Sequence, residues 1–253
     1  MMTSVPFDWL CPDWPAPSTV RAWTTTRTGG VSTGAFAAMN LGLHSGDELA
    51  RVAQNRAILA EHMHGARIAW LEQVHGAQVV SAQAACDAAT PPQADASVAT
   101  TPQVACAVMT ADCLPVLFCE TSGRVVAAAH AGWRSLAAGV LEATVARMAV
   151  PPQTVMAWLG PAIGPQAFEV GEDVRRAFLA EDADCGAAFV AAATPGKWWA
   201  DLYALARRRL ARAGVAQVYG GGLCTVADET RFFSWRRDAG RTGRMVSLIW
   251  TIR

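Results

Sequence analysis

The sequence predicts an α+β fold built on mixed sheets. Apolar runs of strand length crowd the middle of the chain. Helical patterns are scattered along it without strict βαβ alternation, which disfavours a doubly wound parallel sheet. No linker, internal repeat or low-complexity stretch interrupts the pattern. Residues 1–253 therefore read as a single domain, with residues 1–19 as an extended N-terminal arm.

Taken in order, "VRAWTTTRTGGVSTG" reads as a strand from Val20 to Thr25 running into a Gly-rich loop. "SGDELARVAQNRAILAEHM" carries a capping-box pattern, Ser45 with Glu48, and puts Leu49, Val52, Leu59 and Met63 on one helical face. "RIAWLEQVHGAQVV" reads as strand, tight loop at His75-Gly76, and strand. "QADASVAT" is turn-like. "VACAVMTADCLPVLFCE" is two apolar runs hinged at Thr110 to Cys113, and "GRVVAAAH" is a further strand. "GWRSLAAGVLEATVARM" reads as one helix with Leu136, Val140, Leu141, Val145 and Met148 inward. "VMAWLGPAIGP" is a strand breaking into a Gly/Pro loop. "GEDVRRAFLAE" and "DLYALARRRLARAG" are helices, and "RFFSWRRDAGRTGRMVSLIWTI" reads as a closing hairpin turning near Gly240.

Hydrophobic residues make up 52% of the chain and charged residues 17%, a globular composition. Apolar runs stop well short of the ~20 residues a membrane span needs. The N-terminus has no signal-peptide pattern, so a cytoplasmic protein is expected. Net charge is zero, which makes no electrostatic case for a nucleic-acid or membrane partner and weakly favours self-association: a monomer or weak homodimer. Of 21 basic residues only Lys197 is lysine, so any anion site will be built from guanidinium groups. Seven scattered cysteines without a CxxC pair argue against a disulfide framework.

Three positions share one design, a metal-capable side chain at the end of an apolar run in a small-residue corner. They are His75 in "LEQVHG", Cys113 in "MTADCLPV" and His130 in "AAAHAGW". Separations of 38 and 17 residues fit no zinc finger but suit a site assembled from separate strand ends. Two imidazoles and a thiolate leave a tetrahedral ion one open position, as in catalytic zinc. Equally, Cys113 with His75 or His130 could be a thiolate–imidazole hydrolytic pair, and each residue alone could be an ordinary corner or core residue. Asp112 reads either as a proton carrier or as a turn-forming Asp. His62 and His64 close their helix and read as solvated, while His44 sits in the loop before it.

Anion sites form a second layer. Arg27 precedes Gly29-Gly30, whose amides could line an oxyanion. Arg134 follows His130 in a helix's first turn, and Arg236, Arg237, Arg241 and Arg244 cluster around a Gly-rich turn. Arg207, Arg208, Arg209 and Arg212 read as the wet face of a helix, without an aromatic platform for nucleic acid.

The motifs "TTRTGGVSTGAFAAMNLGLHSGD", "LEQVHGAQV", "ADASV", "MTADCLPVLF", "AAAHAGWRSLAAGVLEATV", "WLGPAIGPQAFEVGEDV" and "FFSWRRDAGRTGRMVSLIW" resemble, in order, the bacterial laccase-domain (YfiH-like polyphenol oxidase) family, from about Arg21 onward. The resemblance implies a four-layer α/β/β/α sandwich. It implies a zinc site, with copper as the alternative, on His75, Cys113 and His130. It implies phosphorolysis of adenosine, inosine, guanosine and S-methyl-5'-thioadenosine, with adenosine deaminase activity alongside. Phenol oxidation and a peptidoglycan-precursor editing or regulatory role are attributed to some members. The expected partners are therefore purine nucleosides and phosphate, oriented by Arg27 and Asn40 with Arg134, Arg241 or Arg244. Gln166 and Trp235 stand where some members carry cysteine and tyrosine. Five histidines are too few for a multicopper enzyme, so Lewis-acid chemistry fits the chain better than electron transfer.

Overall fold

Alternation along the strands sorts the side chains into layers. The computed structural model describes residues 7–253. Its strands are β1 (Val20–Thr24), β2 (Arg67–Ala69), β3 (Val79–Ser81), β4 (Ala96–Ala99), β5 (Val104–Thr110), β6 (Leu114–Glu120), β7 (Val126–Ala131), β8 (Val155–Leu159), β9 (Glu169–Gly171), β10 (Phe189–Ala191), β11 (Lys197–Ala200), β12 (Gln217–Gly220) and β13 (Met245–Thr251). The helices are α1 (Leu49–His62), α2 (Ala82–Asp87), α3 (Trp133–Ala137), α4 (Val140–Met148), α5 (Glu172–Leu179) and α6 (Leu202–Arg212).

A four-stranded sheet, β1-β13-β5-β2, and a six-stranded sheet, β12-β8-β6-β7-β4-β3, both mix parallel and antiparallel pairs. Cys106 and Val108 of β5, with Ile249 of β13, meet Leu117, Cys119, Val126 and Ala128 between the sheets. The opposite face of the first sheet carries Ala105, Ala107, Val246, Leu248 and Trp250 against Leu59 of α1. The opposite face of the second packs Val116, Phe118, Ala127 and Ala129 against Leu141 and Val145 of α4 and Leu205 of α6. Helix, sheet, sheet and helix follow in that order, so the expected mixed-sheet sandwich is present. The strands buried on both faces read as continuous apolar runs for that reason. A small sheet, β10-β11-β9, flanks α5.

Several local expectations change. The strands around His75 form no hairpin, because β2 joins the first sheet and β3 the second. The closing segment forms only β13, paired with β1 and β5; Arg237 instead ties residues 225–238 together through the carbonyls of Thr225 and Phe232 and the Asp238 carboxylate. The helix after His130 is two, broken at Gly139, whose φ of 87° belongs to the left-handed region. α1 starts at Leu49 without a side-chain cap, since Ser45 bonds Asn40 and the Gly42 carbonyl, and Leu49 is exposed. Arg209 is buried, donating to Glu142 and the Ala137 carbonyl, and so leaves the wet face. Residues 1–6 of the expected arm lie outside the described residues. Beyond them, Trp9 is buried and Leu10 pairs with Thr24, so this part of the arm is laid on the sheet. No helix among the described residues is long and apolar enough to cross a membrane.

Candidate functional site

His75, Cys113 and His130 converge. Their ligand atoms all lie within 4.8 Å of one another, with Cys113 Sγ 4.0 Å from His75 Nε2. Two of the three sit where the chain crosses between sheets: His75 between β2 and β3, Cys113 between β5 and β6. Both crossings use left-handed backbone, at His75 (φ 61°) and Asp112 (φ 93°). Such non-glycine strain persists where surrounding contacts over-determine it. His130 is the last inter-sheet position of β7, in alternation with Val126 and Ala128.

The residue that organises the site was missed from sequence. Asp95, fully buried just before β4, accepts from the main-chain N–H of Val74, His75 and Gly76. It also accepts from His130 Nδ1 at 2.8 Å, and its carbonyl accepts from the His130 N–H. One carboxylate thus shapes the His75 loop and turns His130 Nε2 toward the cluster, the outer-shell arrangement of metal-binding histidines. Burial alone would push the Asp95 carboxyl up. The His130 ring and the Gly76 and His75 amides outweigh it and hold the carboxyl below its ordinary value.

Gly132 is needed for room rather than for a turn. Its φ of −58° is open to any residue, but a Cβ there would meet Cys113 Sγ at 2.8 Å and His75 Cδ2 at 3.3 Å. Burial would likewise raise the Cys113 thiol, yet His130 and His75 bring it down to about 6. Burial disfavours His130 as a cation, but the Cys113 thiolate and Asp95 raise it to about 9. Each group thus favours the charged form of the other, thiolate with imidazolium. The donors also fit a metal. With Zn–N about 2.0 Å and Zn–S about 2.3 Å, tetrahedral neighbours lie about 3.5 Å apart. A contraction of about an ångström reaches that from the observed spacing.

The cluster lines a cavity of about 960 Å³, which Arg134 and Arg244 also line. Arg244 is partly desolvated, which lowers its pKa, while Cys113 and Asp112 act on it in the opposite sense. Asp112 lines the cavity too, and its carboxylate accepts from the Thr225 hydroxyl and the Arg236 N–H, so it ties two loops to the cavity wall. Arg27 lies away from the cavity wall, with its guanidinium on the carbonyls of Ala37 and Glu229. A Cβ at Gly30 would meet Ala38, Met39 and Asn55, and at Gly29 Phe7, so both glycines are packed against neighbouring segments. Asn40 is fully buried and accepts from the Arg244 N–H, so it positions Arg244 instead of reaching a ligand. Arg241 is exposed and outside the cavity wall.

A family model described as multi-copper polyphenol oxidoreductase laccase matches residues 21–252. A purine nucleoside phosphorylase of Pseudomonas aeruginosa is 56% identical over 242 residues, covering 96% of this chain and 98% of the relative. The purine nucleoside phosphorylase YfiH of Escherichia coli is 52% identical over 244 residues, with 96% and 98% covered. Among solved structures, a Neisseria meningitidis protein superposes with a TM-score of 0.93 at 54% identity, covering 97% of this chain and 99% of that one. YlmD of Geobacillus stearothermophilus superposes with a TM-score of 0.87 at 33% identity, covering 99% and 98%.

Proposed function

This chain belongs to the multi-copper polyphenol oxidoreductase laccase family, and on that premise we propose that it is a metal-dependent purine nucleoside phosphorylase. Its substrates in this reading are adenosine, inosine, guanosine and S-methyl-5'-thioadenosine, with adenosine deaminase activity at the same site. The observation that carries the reading is the convergence of His75, Cys113 and His130 on a cavity that Arg134 and Arg244 also line. The relatives named purine nucleoside phosphorylase support it. The chain works as a single cytoplasmic domain, monomer or weak homodimer, without nucleic-acid or membrane partners.

Phosphorolysis forms a bond from a phosphate oxygen to the anomeric carbon and breaks the bond from that carbon to the purine. The products are ribose 1-phosphate and the free base. Arg244 and Arg134 hold the phosphate, because guanidinium groups pair with its oxygens two at a time. Arg244 is fixed for this by Asn40 at its N–H and by the Thr242 and Gly243 carbonyls at Nη1. Trp133, Phe168 and Trp235 give the cavity aromatic walls for the base. His75, Cys113 and His130 would hold zinc, or copper as the alternative, and the ion would supply Lewis-acid chemistry toward negative charge on the substrate.

The test is phosphate-dependent base release from adenosine, measured with elemental analysis, for the wild type and Cys113→Ala. Loss of both metal and release is expected. Full activity without metal would overturn the proposal. A second reading, a metal-independent Cys113–His hydrolase or deamidase, is favoured by the lowered thiol and the raised imidazole. It predicts activity that survives chelation and is blocked by a thiol alkylator.

A further inference from the structure

The cavity does not end at the metal centre. It continues past the end of β5, along Met109, Thr110 and Ala111, to a wall formed by Arg56 and Trp70. Met109 packs with Ala105 and Ala107 on the α1 side of the four-stranded sheet. His130 lies on the other side, between the sheets. Arg56 therefore lines this space from the α1 side of the sheet, the side opposite His130.

Its guanidinium is held on three sides. Nε donates to the Leu41 carbonyl at 2.9 Å, Nη2 lies 3.7 Å from the Met109 sulfur, and the central carbon sits 3.8 Å from the Trp70 ring centroid. Nη1 has no hydrogen-bond partner among the described residues. Arg56 also makes no ion pair within 4.0 Å among them. Of the two carboxylates in the cavity wall, Asp112 is engaged by Thr225 and Arg236, and Glu72 is exposed and not paired with Arg56. A guanidinium drawn out of water without a counter-ion is costly unless an anion completes it. Burial draws its pKa down to about 10, which shows the desolvation. Space is available too, since 960 Å³ is at the upper end of the roughly 300–1,000 Å³ of small-molecule sites.

We propose that Arg56 is a second anion subsite of this cavity, taking a phosphate ester carried by the nucleoside itself. The ligand class then extends from neutral nucleosides to nucleoside monophosphates. This rests on the nucleoside reading above. The phosphate that attacks the anomeric carbon stays with Arg244 and Arg134, Arg244 being near enough to Cys113 and Asp112 to feel their charge.

Calorimetric binding of adenosine and adenosine 5'-monophosphate to the metal-loaded, full-length protein tests it, for the wild type, Arg56→Met and Arg56→Gln. The wild type should prefer the monophosphate, less so at high salt. The preference should fall roughly ten- to hundredfold in either variant, the worth of a charge-assisted hydrogen bond. Gln keeps a donor for the Leu41 carbonyl and carries the test if the Met variant does not fold. A wild type without preference overturns the subsite, as does equal loss of both ligands in the variants, which is the mark of a merely structural arginine. So does an unchanged preference with a raised KM for inorganic phosphate, which would put the free co-substrate at Arg56. A wild type that lacks phosphorolysis but shows an Arg56-dependent preference overturns the activity and leaves the subsite standing. If neither nucleoside nor monophosphate binds, both readings fall.

Discussion

Cys113 and Cys119 lie at the two ends of one strand, and their thiols sit at opposite chemical extremes. Burial pushes both up. At Cys119, packed between the sheets beside Glu120, nothing opposes it and the thiol rises to about 12. At Cys113 the imidazoles of His130 and His75 outweigh burial and the thiol falls to about 6. Burial is therefore not what makes a cysteine inert in this fold. The difference lies in what the neighbouring loops bring within reach. β6 supplies core filling at one end, and at the other a thiolate held by two sheet crossings and one buried carboxylate.

The contrast breaks most sharply on removal of each sulfur. Cys113→Ala should abolish metal binding and cut base release by a factor on the order of a thousand or more, as loss of several kcal/mol of Lewis-acid stabilisation requires. Cys119→Ala should leave both intact, so comparable losses from the two would erase the distinction. Next in size, Asp95→Asn keeps an acceptor for His130 but loses the charge. Metal affinity should drop roughly ten- to hundredfold, read by competition with a chelator. Gly132→Ala should cost about 1–3 kcal/mol of stability through overpacking against Cys113 and His75. Its denaturant midpoint should fall more than that of Cys119→Ala.

The pH dependence sharpens the same contrast. In metal-free protein Cys113 is deprotonated above about pH 6, so its alkylation should persist to that pH while Cys119 stays a thiol. His130 is raised, so it keeps its ring proton up to about pH 9 and that proton competes with metal. Apparent metal affinity should climb with pH and level off above about 9. Affinity that falls over this range would mean the proton sits elsewhere.

The three metal-capable residues were legible because each ends an apolar run at a small-residue corner, a pattern visible without contacts. Asp95 was not, since its part depends on loop amides twenty residues earlier and a ring thirty-five later, brought beside it only when β3, β4 and β7 pair in the six-stranded sheet. The ordered motif "ADASV" was the available signal. Sequence patterning also separated sheet from helix well, because strands buried on both faces leave long apolar runs. It failed where pairing decides: β2 and β3, read as two strands about a tight loop, serve different sheets, and the Arg-rich C-terminal segment is held by side-chain bonds that no periodicity encodes. Arg27 and Asn40 looked like ligand-binding groups, but Arg27 lies outside the cavity wall with Nε and Nη1 on loop carbonyls, and Asn40 is buried against the Arg244 N–H.

Two of the three metal-capable residues lie on segments that pass from one sheet to the other. The centre is thus made entirely of contacts distant in sequence, the kind that form late when chain closure is slow. During refolding, a species with only the six-stranded sheet assembled would already hold the His130 ring on Asp95, but the crossing that carries Cys113 would close only when the four-stranded sheet docks. Metal uptake followed in time would then act as a clock for the docking of the two halves of the sandwich, and ion capture would come as the last event of folding.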